Sequence, residues 1–324
     1  MDERLNVLVT GASGFVGSSL VKMLSASTKY RPLAVYRGAP ASLPSRVDSI
    51  FVRNLSELAG QSAVLSGVDV VIHAAARVHV MSEVATDPLS EFRKVNVEDT
   101  MNLARQAASA GVRRFIFISS IKVNGEFTLP GKPFTADAVP APMDPYGVSK
   151  FEAEQALLEL ATRSNMEIVI IRPTLIYGPG VKANFQSMMN WLYKRIPLPF
   201  GSIDNKRSLV SLGNLSDLVW ICMQHPAAAN QVFLVSDGES LSTTQLLRRT
   251  ASALGRKALL VPVPMAFLVF AARLLRKPAL SQRLCGSLEV DINKTRNLLN
   301  WEPPVSVDDA LRETARHFMD KKEK

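Results

Sequence analysis

The apolar run Leu5-Asn6-Val7-Leu8-Val9 passes at once into Thr10-Gly11-Ala12-Ser13-Gly14-Phe15-Val16-Gly17, after which helical periodicity begins. A buried strand that enters a helix through a glycine-rich turn is the first half of a βαβ unit, and few folds accommodate it. Gly11 permits the tight turn, Gly14 lets backbone amides approach a pyrophosphate, and Gly17 allows the helix to pack closely on the strand. Gly11, Ser13, Gly14, Phe15, Val16 and Gly17 are therefore candidates for one dinucleotide cradle.

Short β-branched runs recur at 7–10, 33–36, 50–52, 70–73, 115–119 and 168–172, with helical spacing over 17–24, 88–111 and 146–164. That alternation predicts an α/β fold, a Rossmann-type doubly wound parallel sheet. Residues 127–145 contain Pro130, Pro133, Pro140, Pro142 and Pro145, which reads as a loop placed to act as a lid. After Arg172 the alternation loosens. The expected division is a nucleotide-binding domain over 1–176 and a smaller, discontinuous substrate domain over 177–324, with 208–236 returning to the first domain.

Of 324 residues, 47% are hydrophobic and 21% charged, enough to bury a large core unaided. Cys222 and Cys285 form no CxxC pair and have no histidine grouping, so no metal site is expected, and a reducing cytoplasm is the expected location. The net charge of +9 suits an anionic partner. Lysines and arginines are spread along the chain, which favours a small phosphorylated ligand over nucleic acid. The most apolar stretch, 258–275, is broken by Pro262 and Pro264 and interrupted by Arg273, too short for the ~20 residues of a membrane span. It is expected as a buried helix of the second domain, the alternative being a peripheral membrane contact flanked by Arg273, Arg276 and Lys277.

The second strand ends Leu33-Ala34-Val35-Tyr36-Arg37 with no carboxylate for ribose hydroxyls. Arg37 suits a 2′-phosphate, which favours NADP(H) over NAD(H). Downstream, Tyr146 and Lys150 stand four residues apart on one helical face. An ammonium beside a phenol lowers its pKa, as proton transfer at neutral pH requires. Ser119-Ser120, closing a strand, offers a hydroxyl to hold a substrate oxygen near that phenol.

Taken together, the glycine motif, Ser120, and Tyr146 with Lys150 resemble the extended short-chain dehydrogenase/reductase superfamily across essentially the whole chain. Matching continues at Asp69-Val70-Val71-Ile72-His73-Ala74-Ala75-Ala76, at Asn96-Val97 with Thr100, and at 172–180. The second half resembles the branch acting on nucleoside-diphosphate sugars, through Asn184-Phe185, Pro199-Phe200-Gly201, Arg207, and Asp291 with Lys294. The resemblance implies catalytic Ser120, Tyr146 and Lys150. It implies a cofactor site that adds Arg37, Asn54, Leu55, Ala74, Ala75, Ala76, Asn96 and Pro173 to the cradle, with Tyr146 and Lys150 also touching the cofactor. Ser120, Asn184, Phe200, Arg207 and Asp291 would hold a UDP-sugar.

Two departures bear on the reaction. Ile121-Lys122 stand where sugar dehydratases of this superfamily carry an Asp-Glu pair, and Asn124 stands where its epimerases usually carry an aromatic. The reaction expected is hydride transfer at C4 of a UDP-linked sugar. Reduction of a 4-keto-6-deoxy-N-acetylhexosamine with NADPH is placed slightly ahead of 4-epimerisation with NAD. A hydroxysteroid-type dehydrogenase and a non-catalytic NADP sensor are the remaining readings. Small side chains around Gly286-Ser287-Leu288 imply room for an N-acetyl group. The resemblance also implies a homodimer through helices over 96–110 and 146–161.

Overall fold

The computed structural model describes residues 4–37, 44, 47–60, 62–78, 87–274, 282 and 284–323. In the first half, strands β1 (Leu5–Thr10), β2 (Tyr30–Tyr36), β3 (Asp48–Phe51), β4 (Val70–His73), β5 (Arg114–Ile118) and β6 (Glu167–Pro173) are interleaved with helices. These are α1 (Phe15–Ser25), α2 (Ser62–Leu65), α3 (Pro88–Arg93), α4 (Asp99–Ser109) and α5 (Pro145–Thr162). Then follow β7 (Leu175–Tyr177), α6 (Ala183–Tyr193), β8 (Arg207–Ser211), α7 (Leu212–Gln224), β9 (Gln231–Val235) and β10 (Ser240–Leu241). Helices α8 (Thr243–Ala253), α9 (Met265–Leu274), α10 (Asn293–Leu299) and α11 (Val307–Asp320) complete the described elements.

Seven strands form one parallel sheet in the order β3-β2-β1-β4-β5-β6-β9. Strands β4 and β5 are buried along their whole length, because helices cover both faces of the sheet; this is why they read as apolar runs without alternation. The chain winds outward from β1 to β3 and then returns to β4 on the other side of β1. A crevice consequently opens at the C-terminal ends of β1 and β4, the position at which doubly wound sheets bind ligands.

The span 88–111 is interrupted where the periodicity suggested one helix. A π-turn over Lys94–Glu98 joins α3 to α4, an irregularity that often marks functional positions. Of the 208–236 segment, only β9 joins the main sheet. Strand β8 pairs with β7 and β10 in a separate three-stranded sheet, because β9 already occupies the edge beside β6 and β7 presents its own free edge next to it.

The proline-rich span 127–145 holds no strand or helix before α5 begins, but it is not a loose flap. The Thr128 N–H donates to Ser287 O (2.9 Å), the Phe134 N–H to Glu289 O (2.9 Å), and the Asp291 N–H to Phe134 O (2.8 Å). The expectation of a buried helix over 258–275 is overturned: α9 spans ten residues and has no buried residue. Leu268, Val269, Ala271 and Ala272 are half-buried, while Phe267, Phe270 and Leu274 are exposed. Arg276 and Lys277 lie outside the described residues. Among the described residues no helix is long and apolar enough to cross a membrane.

Candidate active site

Close packing at the β1–β4 crossing demands the glycine motif. Gly11 has φ +68°, and a Cβ there would lie 2.8 Å from the Ala75 nitrogen; one at Gly17 would lie 2.2 Å from Gly11 O. The Gly14 N–H donates to Gly11 O at 2.8 Å, leaving α1 to begin at Phe15 with Val16 and Gly17 in its first turn. The adjoining crevice is lined by Gly11, Ser13, Gly14, Arg37, Leu55, Ala74, Ala75 and Ala76, together with Val35, Tyr36 and Val52. Those last three were not singled out in the sequence, although each ends or follows a strand of the parallel series, where crevice residues belong. Backbone free of side chains at a helix N-terminus suits a dinucleotide pyrophosphate, so these residues fit the cofactor that the sequence implies. Arg37 is the one charged residue of the lining, and it is exposed.

Asn54 stands beside this crevice with its amide oxygen accepting from the Glu57 N–H (3.1 Å). Asn96, in the π-turn, accepts from the Arg77 N–H (2.8 Å) and donates to Arg77 O (3.1 Å) and Ser149 Oγ (3.0 Å). It thereby clamps the segment after β4 to α5. Pro173 ends β6, in register with Val235.

The crossing is locked by His73, which is fully buried. Its Nδ1 pairs with Thr10 Oγ1 (2.8 Å) and its Nε2 with Thr100 Oγ1 (3.0 Å). Burial, and then the charge of Lys150, hold the imidazole down at about 3. An unfolded histidine titrates near ~6.5, so between those values the unfolded chain binds a proton that the native state excludes. Stability must fall as pH drops through that window. Urea unfolding is expected to show a loss from pH 7 to pH 5 that is about 2 kcal/mol larger in the wild type than in His73→Asn; equal losses would mean that His73 does not couple protonation to folding.

Beyond β5, Ser120 caps the short turn Ile121–Val123, and Tyr146 lies in the first turn of α5. Asp144 places that turn: its side chain accepts from the Gly147 N–H at 2.7 Å, with Pro145 at the helix start. Lys122 ties the two together. Its Nζ is paired with Glu126 (3.0 Å) and with Asp144, and its N–H donates to Ser120 Oγ (3.2 Å).

Burial pushes the Tyr146 phenol up to about 12, with Asp144 adding to the rise and a hydrogen bond with Ser120 opposing it. Lys150 lies one turn further along α5. Its Nζ donates to Ile118 O (2.8 Å) and lies 3.7 Å from the centre of the Phe117 ring. Burial draws it down to about 7, against the pull of Glu154.

Beneath this group lies a network the sequence did not reveal. Arg172 donates to Glu154 through Nε (3.0 and 3.1 Å) and Nη2 (2.6 Å), and to Asn124 Oδ1 through Nη1 (3.0 Å). Ser119 Oγ donates to the same Glu154 carboxylate. Asn124 in turn donates to Thr135 O (3.0 Å). A charged residue inside the apolar strand 168–172, and Glu154 one turn after Lys150, were the available signals.

Arg207, which opens β8, is half-buried. Its Nη1 donates to Gly286 O at 3.0 Å, burial lowers its pKa, and no carboxylate among the described residues pairs with it. Asn184 is exposed in the first turn of α6. Phe200 packs against the core of the second half, and its carbonyl accepts from Thr244 Oγ1 (2.7 Å). The Asp291 carboxylate is turned onto Asn293, accepting from its N–H (2.6 Å) and its side-chain amide (3.1 Å). Leu288 is buried in the main core, and the half-buried Ser287 accepts from the Lys206 N–H through its Oγ (3.0 Å).

Comparison with known proteins agrees with this geometry. The family described as NAD dependent epimerase/dehydratase matches residues 7–236. A UDP-glucose 4-epimerase of Vibrio cholerae is 47% identical over 317 residues, covering 97% of this chain and 95% of that protein. The same fold is found in the UDP-glucose 4-epimerase of Thermotoga maritima solved with UDP-glucose, at TM-score 0.79 and 22% identity over 98% of this chain and all of that one. It recurs in the UDP-glucuronic acid 4-epimerase of Bacillus cereus solved with NAD, at TM-score 0.78 and 22% identity over 98% of this chain and 97% of that one. Matched by that family over residues 7–236 and 47% identical to a relative over nearly its full length, the chain belongs to the NAD dependent epimerase/dehydratase family.

Proposed function

We propose that this protein interconverts the C4 epimers of a UDP-linked hexose or N-acetylhexosamine. The observation that carries the reading is the placement of Ser120, after β5, and Tyr146, in the first turn of α5, which Lys122 ties together through its N–H to Ser120 Oγ and its ion pair with Asp144. The 47% identity to an enzyme named UDP-glucose 4-epimerase supports C4 as the reacting carbon.

A bound nicotinamide dinucleotide supplies reversible hydride exchange at that carbon. Gly11, Ser13, Gly14 and the backbone of Ala74–Ala76 would hold it. Tyr146 passes a proton to and from the C4 oxygen, while Ser120 orients that oxygen by hydrogen bonding. A phenol near 12 is a proton donor at neutral pH. It becomes a competent base only if Lys150 leaves Ile118 O and brings its charge to the site, so cofactor binding and proton transfer are coupled through Lys150. Arg207, a guanidinium with no carboxylate of its own, suits the UDP diphosphate, with Asn184 and Phe200 at its flank. Ser287 leaves space for an N-acetyl substituent.

A second reading, a 4-keto-sugar reductase using NADPH, keeps one specific observation in its favour: Arg37, rather than a carboxylate, ends β2 in the crevice. Elimination is disfavoured under both readings, since Lys122 is committed to Glu126 and Asp144. In either case a homodimer is assigned to the faces of α4 and α5. Purified protein is expected to retain NAD through gel filtration and to convert UDP-galactose to UDP-glucose, followed by oxidation of the product with UDP-glucose dehydrogenase. No conversion, with NADPH consumed in the presence of a UDP-4-keto sugar, would replace the epimerase by the reductase.

A further inference from the structure

The exposed apolar surface built on α9 is not part of the site above. Phe267, Phe270 and Leu274 share one helical face and are 63%, 64% and 75% exposed. Soluble surfaces rarely carry a contiguous apolar patch of this kind without a partner. Nor does it stop at the helix. Hydrogen bonds stitch the strap before α9 to the segment after α6: Leu198 N–H to Leu259 O (2.9 Å), Val261 N–H to Leu198 O (2.8 Å) and Gly201 N–H to Val261 O (2.9 Å). Ile196 and Val261 are exposed on those two segments, and Trp191 is exposed near the end of α6.

Charge identifies what such a surface fits. Between Glu239 and Glu289 the sequence contains no Asp or Glu and eight Lys or Arg, and residues 183–203 contain no acid while carrying Lys194 and Arg195. Arg256 lies over the Tyr193 ring at 5.2 Å, which places that cation beside the Lys194-Arg195 pair. Lys194, Arg195, Lys257 and Arg273 are exposed.

From this we infer that α9 and the basic margin around it dock the protein on an anionic phospholipid bilayer, with Phe267, Phe270 and Leu274 entering the interface and the cations meeting the headgroups. A second copy of the chain fits less well. An isologous contact through α9 would bring the same cations together with no acid on either side. A nucleic acid would meet an apolar helix whose one charged side chain is Arg273. The docking does not rest on the epimerase reading, because it is measured without turnover.

The experiment is co-sedimentation of the full-length protein with vesicles of phosphatidylcholine, with and without phosphatidylglycerol, at low and high salt. Partitioning is expected to be at least about tenfold stronger on the anionic vesicles and to weaken with salt. The variant Phe267→Ser/Phe270→Ser, altered only at exposed positions, should lose about tenfold or more of that binding with its circular dichroism and thermal unfolding unchanged. Absence of binding, equal binding to both vesicles, or a variant that binds as tightly as the wild type overturns the proposal. Conversion of a wild-type dimer to monomer by the double substitution would assign α9 to a second copy instead, and retention of RNA in place of vesicles would assign the basic margin to nucleic acid.

Discussion

Tyr146→Phe is expected to lower turnover of a UDP-sugar by about 100-fold or more while dinucleotide affinity changes less than about threefold, the scale for loss of a positioned proton donor. The substitution removes one hydroxyl and leaves the ring against Phe92, whose centre is 6.0 Å away, so the helix start set by Asp144 and Pro145 is undisturbed. Steady-state rates and fluorescence titration with NAD check the two halves separately. Wild-type turnover would take Tyr146 out of the reaction. Equal losses of rate and cofactor affinity would make it a binding residue only.

Glu154→Ala is expected to cost about 3–5 kcal/mol of unfolding free energy, because it leaves the buried Arg172 guanidinium without its counter-charge. Glu154 and Arg172 are both almost completely buried, with side chains 2% and 5% exposed, so water cannot compensate. The double variant Glu154→Leu/Arg172→Met should recover most of the loss, since replacing a buried pair by apolar groups is far less damaging than breaking it. Denaturant unfolding of both variants is the measurement. A single variant within about 1 kcal/mol of wild type would show that the pair is solvated in solution. Because Ser119 also bonds Glu154 and adjoins Ser120, the folded fraction of Glu154→Ala should also turn over more slowly than wild type, a loss that stability alone would not produce.

The sequence made the architecture and the candidate site residues legible, and for local reasons. Strands β1, β4, β5 and β6 are apolar runs bounded by turns, the cradle is written in three glycines whose missing side chains the backbone crossing requires, and Tyr146 and Lys150 declare themselves by a one-turn spacing. Such signals depend on residues close together in the chain, where backbone geometry alone sets the relation.

What only the tertiary structure decided depends on partners distant in sequence. Strand β8 joined β7 and β10 because β9 held the edge beside β6. Arg172, Glu154, Asn124 and Ser119 come from four different elements, and their convergence has no local trace. Lys150 carries the spacing expected of a residue that tunes Tyr146, yet its charge is turned to Ile118 O and the Phe117 ring, a direction set by the sheet beneath it. The apolar 258–275 stretch has the composition of a core helix, but composition cannot show whether another apolar face is available to cover it. Among the described residues none buries any residue of α9, because burial is a property of two surfaces, of which the sequence of one helix supplies only the first.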